Sequence, residues 1–230
     1  MASVIAEADE SVSRNLNGQK LGRKGRDTRA RIIAAATELI REESDEPVTL
    51  SAVARRVSLG MTSLYLYFSD LTELIMAVLE PVSATAEQDF VWRLRTRWPD
   101  DDLAAHCRDF VAAYHAYWHK HSRLLHLRNS MADGHDERIM AQRIATAQVL
   151  IVLLVEQMDG KGVTVRSPRY AMASLLMTAL ERAATVWTDT MLHRMFASPA
   201  FSDIERFFVP ASRLLELGIR DGRGMTEVPD

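Results

Sequence analysis

The sequence predicts an all-α fold, and three observations carry that prediction. Gly and Pro are sparse, 10 and 7 among 230 residues, whereas a chain of many short strands needs turn residues throughout. Apolar residues make up 47%, enough for a packed core. They recur at spacings of three and four over long stretches, the period of a helix with one buried face. The chain divides into a flexible basic arm (1–26), a small helical domain (27–80), a larger helical domain (81–220) and a frayed tail (221–230).

Charge marks the arm. The formal net charge is −3, yet residues 14–31 hold Arg14, Lys20, Arg23, Lys24, Arg26, Arg29 and Arg31 against Asp27 alone. Asn15, Asn17, Gly18, Gly22 and Gly25 lie among them, so the segment reads as flexible chain leading into a helix. Two uses are open to it: a solvated terminus, or positive charge reaching phosphates or a minor groove.

In the small domain, Ile32, Ile33, Ala36, Leu39 and Ile40 predict a helix over 28–43, capped by Asp27 or Thr28. Residues 44–48, with Pro47, form a loop. Thr49 suits the N-cap of a helix over 50–57, with Val48 and Val53 placed as a hydrophobic staple. Ser58-Leu59-Gly60 breaks that helix, and a second runs over 61–68. Leu64 and Phe68 then face Val53, Ala54 and Val57, leaving Thr62, Ser63 and Tyr65 outward and Tyr67 on another side. Asp70 with Glu73 resembles a capping box for a helix carrying Leu74, Ile75, Val78 and Leu79, which Pro81 ends or kinks. Two short helices sharing a few apolar contacts form a helix-turn-helix, the device that seats one helix in the DNA major groove.

Residues 49–74 read TLSAVARRVSLGMTSLYLYFSDLTEL. This segment resembles the DNA-binding domain of the TetR family of transcriptional regulators, whose pattern runs roughly T-hydrophobic-x-x-IA-x-x-AGVS-x-G-T-LY-x-YF-x-SKEEL. Leu64, Tyr65, Tyr67 and Phe68 are the most specific match. Ser58 stands where the family usually has Gly, at a cost of about 1–2 kcal/mol if the turn is left-handed. Gly60 replaces the usual Ser or Ala, Thr62 a common Gly, and Leu71 a frequent phosphate-contacting Lys.

The resemblance implies that Tyr65 and Tyr67 touch DNA phosphates. Closing a small core is the competing use of these two rings. Thr49, Thr62 and Ser63 offer hydroxyls at helix starts, and Met61 with the Thr62 methyl suits thymine methyl groups. The recognition segment carries no Lys or Arg, so Arg55, Arg56 and the arm would supply charge. The two arginines equally suit a solvated helix face.

In the larger domain, Leu103, Cys107, Phe110, Val111, Tyr114 and Trp118 make one helical stripe. Residues 126–134 read as a break, and an apolar helix over 139–158 follows, ended by 159–162. Pro168 opens a helix bearing Leu175, Leu176, Leu180, Ala184, Trp187 and Met191, broken at Ser198-Pro199. A last helix carries Ile204, Phe207, Phe208, Ala211, Leu214 and Leu215. The resemblance implies a ligand-binding and dimerisation domain, whose last two helices pair with their copies. Leu176, Leu180, Trp187, Phe207, Phe208, Ala211 and Leu215 are the interface candidates. It also implies a cavity between the middle helices, for which Phe110, Tyr114, Tyr117, Trp118 and Trp187 are candidates, with plain core as their alternative use.

His115 and His119 share a helix face, but no second pair of ligands has a fitting spacing, so neither a metal nor a cofactor is expected. Lone Cys107 allows no internal disulfide, the start MASVIAEADE lacks a secretory pattern, and Lys or Arg interrupts every long apolar stretch. These features favour a cytoplasmic protein off the membrane. No phosphate loop, nucleophile elbow or zinc motif suggests an enzyme. The expectation is a ligand-responsive transcriptional regulator: a homodimer on double-stranded operator DNA, most simply a repressor released by a small apolar effector. The alternative is a helical carrier or enzyme for an apolar small molecule.

Overall fold

The structure, a computed structural model, describes residues 21–42, 46–160, 165–195 and 205–225. These contain ten α-helices and one 3₁₀ turn, with no strand among the described residues. Two compact units divide between Pro81 and Val82. The expected arm before Leu21, the 198–199 break, Ile204 and the tail beyond Met225 lie outside the described residues.

The first unit is built from α1 (Arg23–Arg41), α2 (Leu50–Arg56), α3 (Met61–Leu64) and the start of α4 (Leu71–Asp89). Helix α1 begins at Arg23, ahead of the expected 28, with Gly22 as its extended N-cap. Leu21 is buried, and Arg26 donates to its carbonyl at 2.8 Å. An apolar anchor before the helix thus pulls Arg23, Lys24 and Arg26 out of the supposed arm and into regular structure. Ile32, Ala36, Val53, Ala54, Leu64, Phe68, Leu74 and Ile75 form the core.

Local chemistry sets the helix ends. Thr49 Oγ1 accepts the Ala52 N–H at 3.2 Å, capping α2. Ser58 takes φ 56°, the left-handed conformation that reverses the chain. Helix α3 is a single turn, shorter than the expected 61–68. Turns continue its path, with Tyr65 N donating to Met61 O at 3.0 Å and Phe68 N to Leu64 O at 3.1 Å. Leu64 and Phe68 are therefore both fully buried. Asp70 Oδ1 accepts the Glu73 N–H at 2.8 Å, while the Glu73 carboxylate reaches back to the Ser69 N–H at 2.6 Å. The capping box thus extends one residue further than expected. Pro81 does not end α4, which runs on to Asp89.

The second unit continues from α4 through a 3₁₀ turn (Val91–Leu94), α5 (Leu103–Lys120), α6 (Ser122–Asp133), α7 (Glu137–Gln157), α8 (Pro168–Trp187), α9 (Thr190–Met195) and α10 (Glu205–Gly224). Helix α5 packs on α10, α7 lies between α6 and α8, and α8 packs on α10. The expected break over 126–134 is a helix, α6, whose polar Arg128 and Asn129 are buried. Helix α8 ends at Trp187, before the expected break, and Met191 belongs to α9. Helix α10 runs past Arg220 to Gly224.

Buried polar side chains pin one end of this bundle. Gln157 accepts the Trp98 N–H at 2.9 Å and donates to the carbonyls of Leu94 and Thr96 at 2.9 and 2.8 Å. Arg169 donates to the carbonyls of Met158 at 3.1 Å, Gly222 at 2.9 Å and Met225. A Cβ on Gly222 would lie 2.5 Å from the Met158 side chain, so only glycine lets α10 approach α7 there. By length and composition alone α7 could cross a membrane, although Arg143 interrupts its apolar stretch. Its Leu150, Leu153, Leu154 and Val155 are buried in the bundle.

Candidate nucleic-acid interface and ligand cavity

Buried Leu64 and Phe68 hold the segment between them at the surface of the first unit. Thr62 and Ser63 are exposed, Tyr65 is 46% exposed, and Met61 and Tyr67 are half-buried. Tyr65 therefore leaves much of its surface in solvent, while Tyr67 divides its surface between solvent and protein. Leu66, absent from the sequence candidates, is also exposed, at 42%. An apolar residue there fits contact with a thymine methyl or a sugar.

The charged candidates separate. Arg55 and Arg56 are both exposed. Arg56 is held by Glu42 at 2.8 Å and Glu38 at 3.7 Å, so it braces α2 against α1 before it can meet a phosphate. Arg29 lies over the Phe68 ring at 5.0 Å, and burial lowers its pKa against the opposing charges of Glu73 and Glu80. Arg31 donates to the Val57 carbonyl at 3.2 Å. These two arm arginines close the small core. Arg23 and Lys24 are exposed on the first turn of α1.

Residues 32–78 match the family model described as bacterial regulatory proteins, tetR family. That span covers the second half of α1, all of α2 and α3 and the first part of α4, the helix-turn-helix whose geometry is given above. Residues 32–78 are thus a helix-turn-helix domain of the tetR family. A search of the curated proteins gives no match.

In the second unit a cavity of about 110 Å³ opens beside α5, α6, α7 and α8. Tyr114, Tyr117 and Trp118 line it, and Phe90, Leu150 and Met177 complete its apolar wall. Phe110 does not line it. It is fully buried one turn away, stacked with Tyr114 at 6.1 Å between ring centroids. Trp187 does not line it either, because it turns toward Phe207 at 4.7 Å.

Sequence reasoning missed the cavity's charged side. Arg128 donates to Glu181 at 2.9 Å and to Asn129 Oδ1 at 3.1 and 2.9 Å. Arg143 donates to the same Glu181 oxygen at 3.2 Å and to Asp133 at 3.2 Å. The Arg128 and Glu181 side chains are 7% and 17% exposed. No spacing along the chain marks these three as partners, since they come from three helices. Burial raises the Tyr114 phenol beyond its ordinary range and raises Tyr117 to about 12, so both stay neutral at physiological pH.

Four of the proposed interface residues face inward. Leu176, Leu180, Ala211 and Leu215 are buried within the chain, and Leu176 packs on Gly218. The exposed apolar residues of the same two helices are their neighbours Leu175, Val209, Leu214 and Leu217. Trp187, Phe207 and Phe208 are half-buried around His115 or each other. Among the described residues no group of three His, Cys, Asp or Glu could hold a metal ion.

Proposed function

We propose that this regulator is a homodimeric, ligand-responsive repressor that acts on double-stranded operator DNA. The observation carrying the proposal is the exposed Thr62-Ser63-Leu64-Tyr65 turn, held from behind by buried Leu64 and Phe68. Thr49, Arg55, Thr62, Ser63 and Tyr65 position the reading head on the phosphates, while Met61 and Leu66 meet bases or sugars. Two linked heads reading half-sites about 34–36 Å apart bind far better than one. Leu175, Leu214 and Leu217 supply the dimer surface, since two helices leaving several leucines in water favour association.

The effector occupies the cavity among Tyr114, Tyr117 and Trp118. Ser83 and Ala86 of α4 line it, and Leu74 and Ile75 of the same helix fill the core of the reading head. An effector that prefers one position of α4 thus shifts the population of DNA-competent heads. By linkage, DNA and effector weaken each other. Such a protein works in the cytoplasm and needs no catalytic chemistry.

Tyr65→Ala tests the reading head. Gel-shift titration on DNA from the protein's own promoter should show weakened binding, roughly tenfold, with the dimer intact by size-exclusion chromatography. Unchanged affinity would remove Tyr65 from the interface.

A further inference from the structure

The cavity has more fixed positive charge than negative. Two guanidiniums, those of Arg128 and Arg143, meet one lining carboxylate, that of Glu181. Asp133 also pairs with Arg143, but it is 73% exposed and stands in water, where its attraction is screened. A guanidinium cannot shed its proton at any physiological pH. Burying an uncompensated one is costly, and burial does lower the Arg128 pKa against the pull of Glu181.

The hydrogen-bond inventory points the same way. Arg128 uses Nε and Nη2, and Arg143 uses Nε and Nη1. The Arg128 Nη1 and Arg143 Nη2 groups take no partner among the described residues. The neighbouring hydroxyls do not compete for the role. Thr146, Ser174 and Thr178 donate to carbonyls of their own helices at 3.0, 2.8 and 2.8 Å. Ser83 accepts from Gln142 Nε2 at 3.3 Å, and the rest of the wall is aromatic or aliphatic.

Resting on the effector reading above, we propose that this cavity takes a small organic anion, a carboxylate carried on one aromatic ring or a short alkyl chain. The acid head accepts hydrogen bonds from the free edges of Arg128 and Arg143, and the apolar body lies against Tyr114, Tyr117 and Trp118. Glu181 holds the two guanidiniums in place when the anion is absent. Its second oxygen also gives a cation something to bind, so a cationic probe belongs in the test.

Isothermal titration calorimetry of the full chain with benzoate, benzamide and benzylammonium, and with hexanoate and hexanamide, tests the assignment. At least one acid should bind roughly tenfold more tightly than its amide, with benzylammonium weaker than benzoate. Arg143→Gln should shrink the acid–amide difference, Arg128 being left as the remaining guanidinium, with the circular dichroism spectrum unchanged. An amide or benzylammonium that binds as well as its acid overturns the proposal, and so does the absence of heat from both acids. A gel shift with the same probes separates the two readings. Release of DNA by an amide alone keeps the effector role and ends the anion assignment. Acid binding without any change in DNA affinity keeps the anion site and ends the effector role.

Discussion

Arg31 Nη2 donates to the backbone carbonyl of Val57 at 3.2 Å. The bond fastens α1 to the residue at which α2 gives way to the turn. It also changes what a basic residue near DNA means here, because the charge is committed to a carbonyl.

Arg31→Gln and Arg55→Gln should therefore weaken operator binding in different ways. Arg55 is exposed beside the reading head, and a lost phosphate contact lowers the salt slope of log affinity by about 0.9. Arg31 acts through the backbone, so its loss should weaken binding with the slope unchanged. Filter binding at several KCl concentrations measures both. Equal slope changes would place the two residues in the same role.

Ser58 holds φ 56° without being glycine. Ser58→Gly should stabilise the first unit by about 0.5–1 kcal/mol, the strain relieved less the added freedom of the unfolded chain. Urea denaturation followed by circular dichroism reads this directly. A loss of stability would mean that the serine side chain contributes more than its conformation costs.

Removing Glu181 should be expensive. Glu181→Leu leaves Arg128, 7% exposed at its side chain, without its carboxylate. Breaking a buried pair from one side costs about 3 kcal/mol. Thermal unfolding should show that loss, and the double variant that also carries Arg128→Met should recover part of it. No recovery would show that the cost lies in packing.

His115 predicts an acid limit for the second unit. Its ring is buried, its Nε2 has no hydrogen-bond partner among the described residues, and the Phe208 ring stands edge-on at 5.4 Å. Burial lowers its pKa, and the charge of His119 lowers it further. Burial also lowers the pKa of His126. Unfolded, each returns to about 6.5. Between the lowered folded value and about 6.5 the unfolded chain binds more protons, so stability falls as pH drops through that window and is level above it. Tm should fall between pH 7.5 and 5.5, and His115→Phe should flatten the decline. An unaltered decline would acquit His115.

The small unit was easier to foresee from sequence than the large one, and the reason is range. The Thr49 cap, the left-handed Ser58 and the pairing of Leu64 with Phe68 are set within a few residues, so local chemistry reveals them. Helix α6 was misread because His126, Arg128 and Asn129 look like loop residues until Glu181 and Thr188, far along the chain, supply their partners. Leu175 and Leu176 show a different difficulty. Two adjacent leucines satisfy the same helical period, and only the approach of Gly218 settles that Leu176 turns inward. Phe110 and Trp187 carry the aromatic character expected of cavity residues, yet each ring is taken by another ring.

Arg169 donates all three of its described hydrogen bonds to main-chain carbonyls, two of them at or just past the far end of α10. The Met225 side chain can change without removing its carbonyl, whereas a Cβ at Gly222 meets the Met158 side chain and displaces the backbone that carries the acceptor. Ending the chain before Gly222 would remove two of these three carbonyls and leave the one on Met158, so that truncation should loosen this end of the bundle.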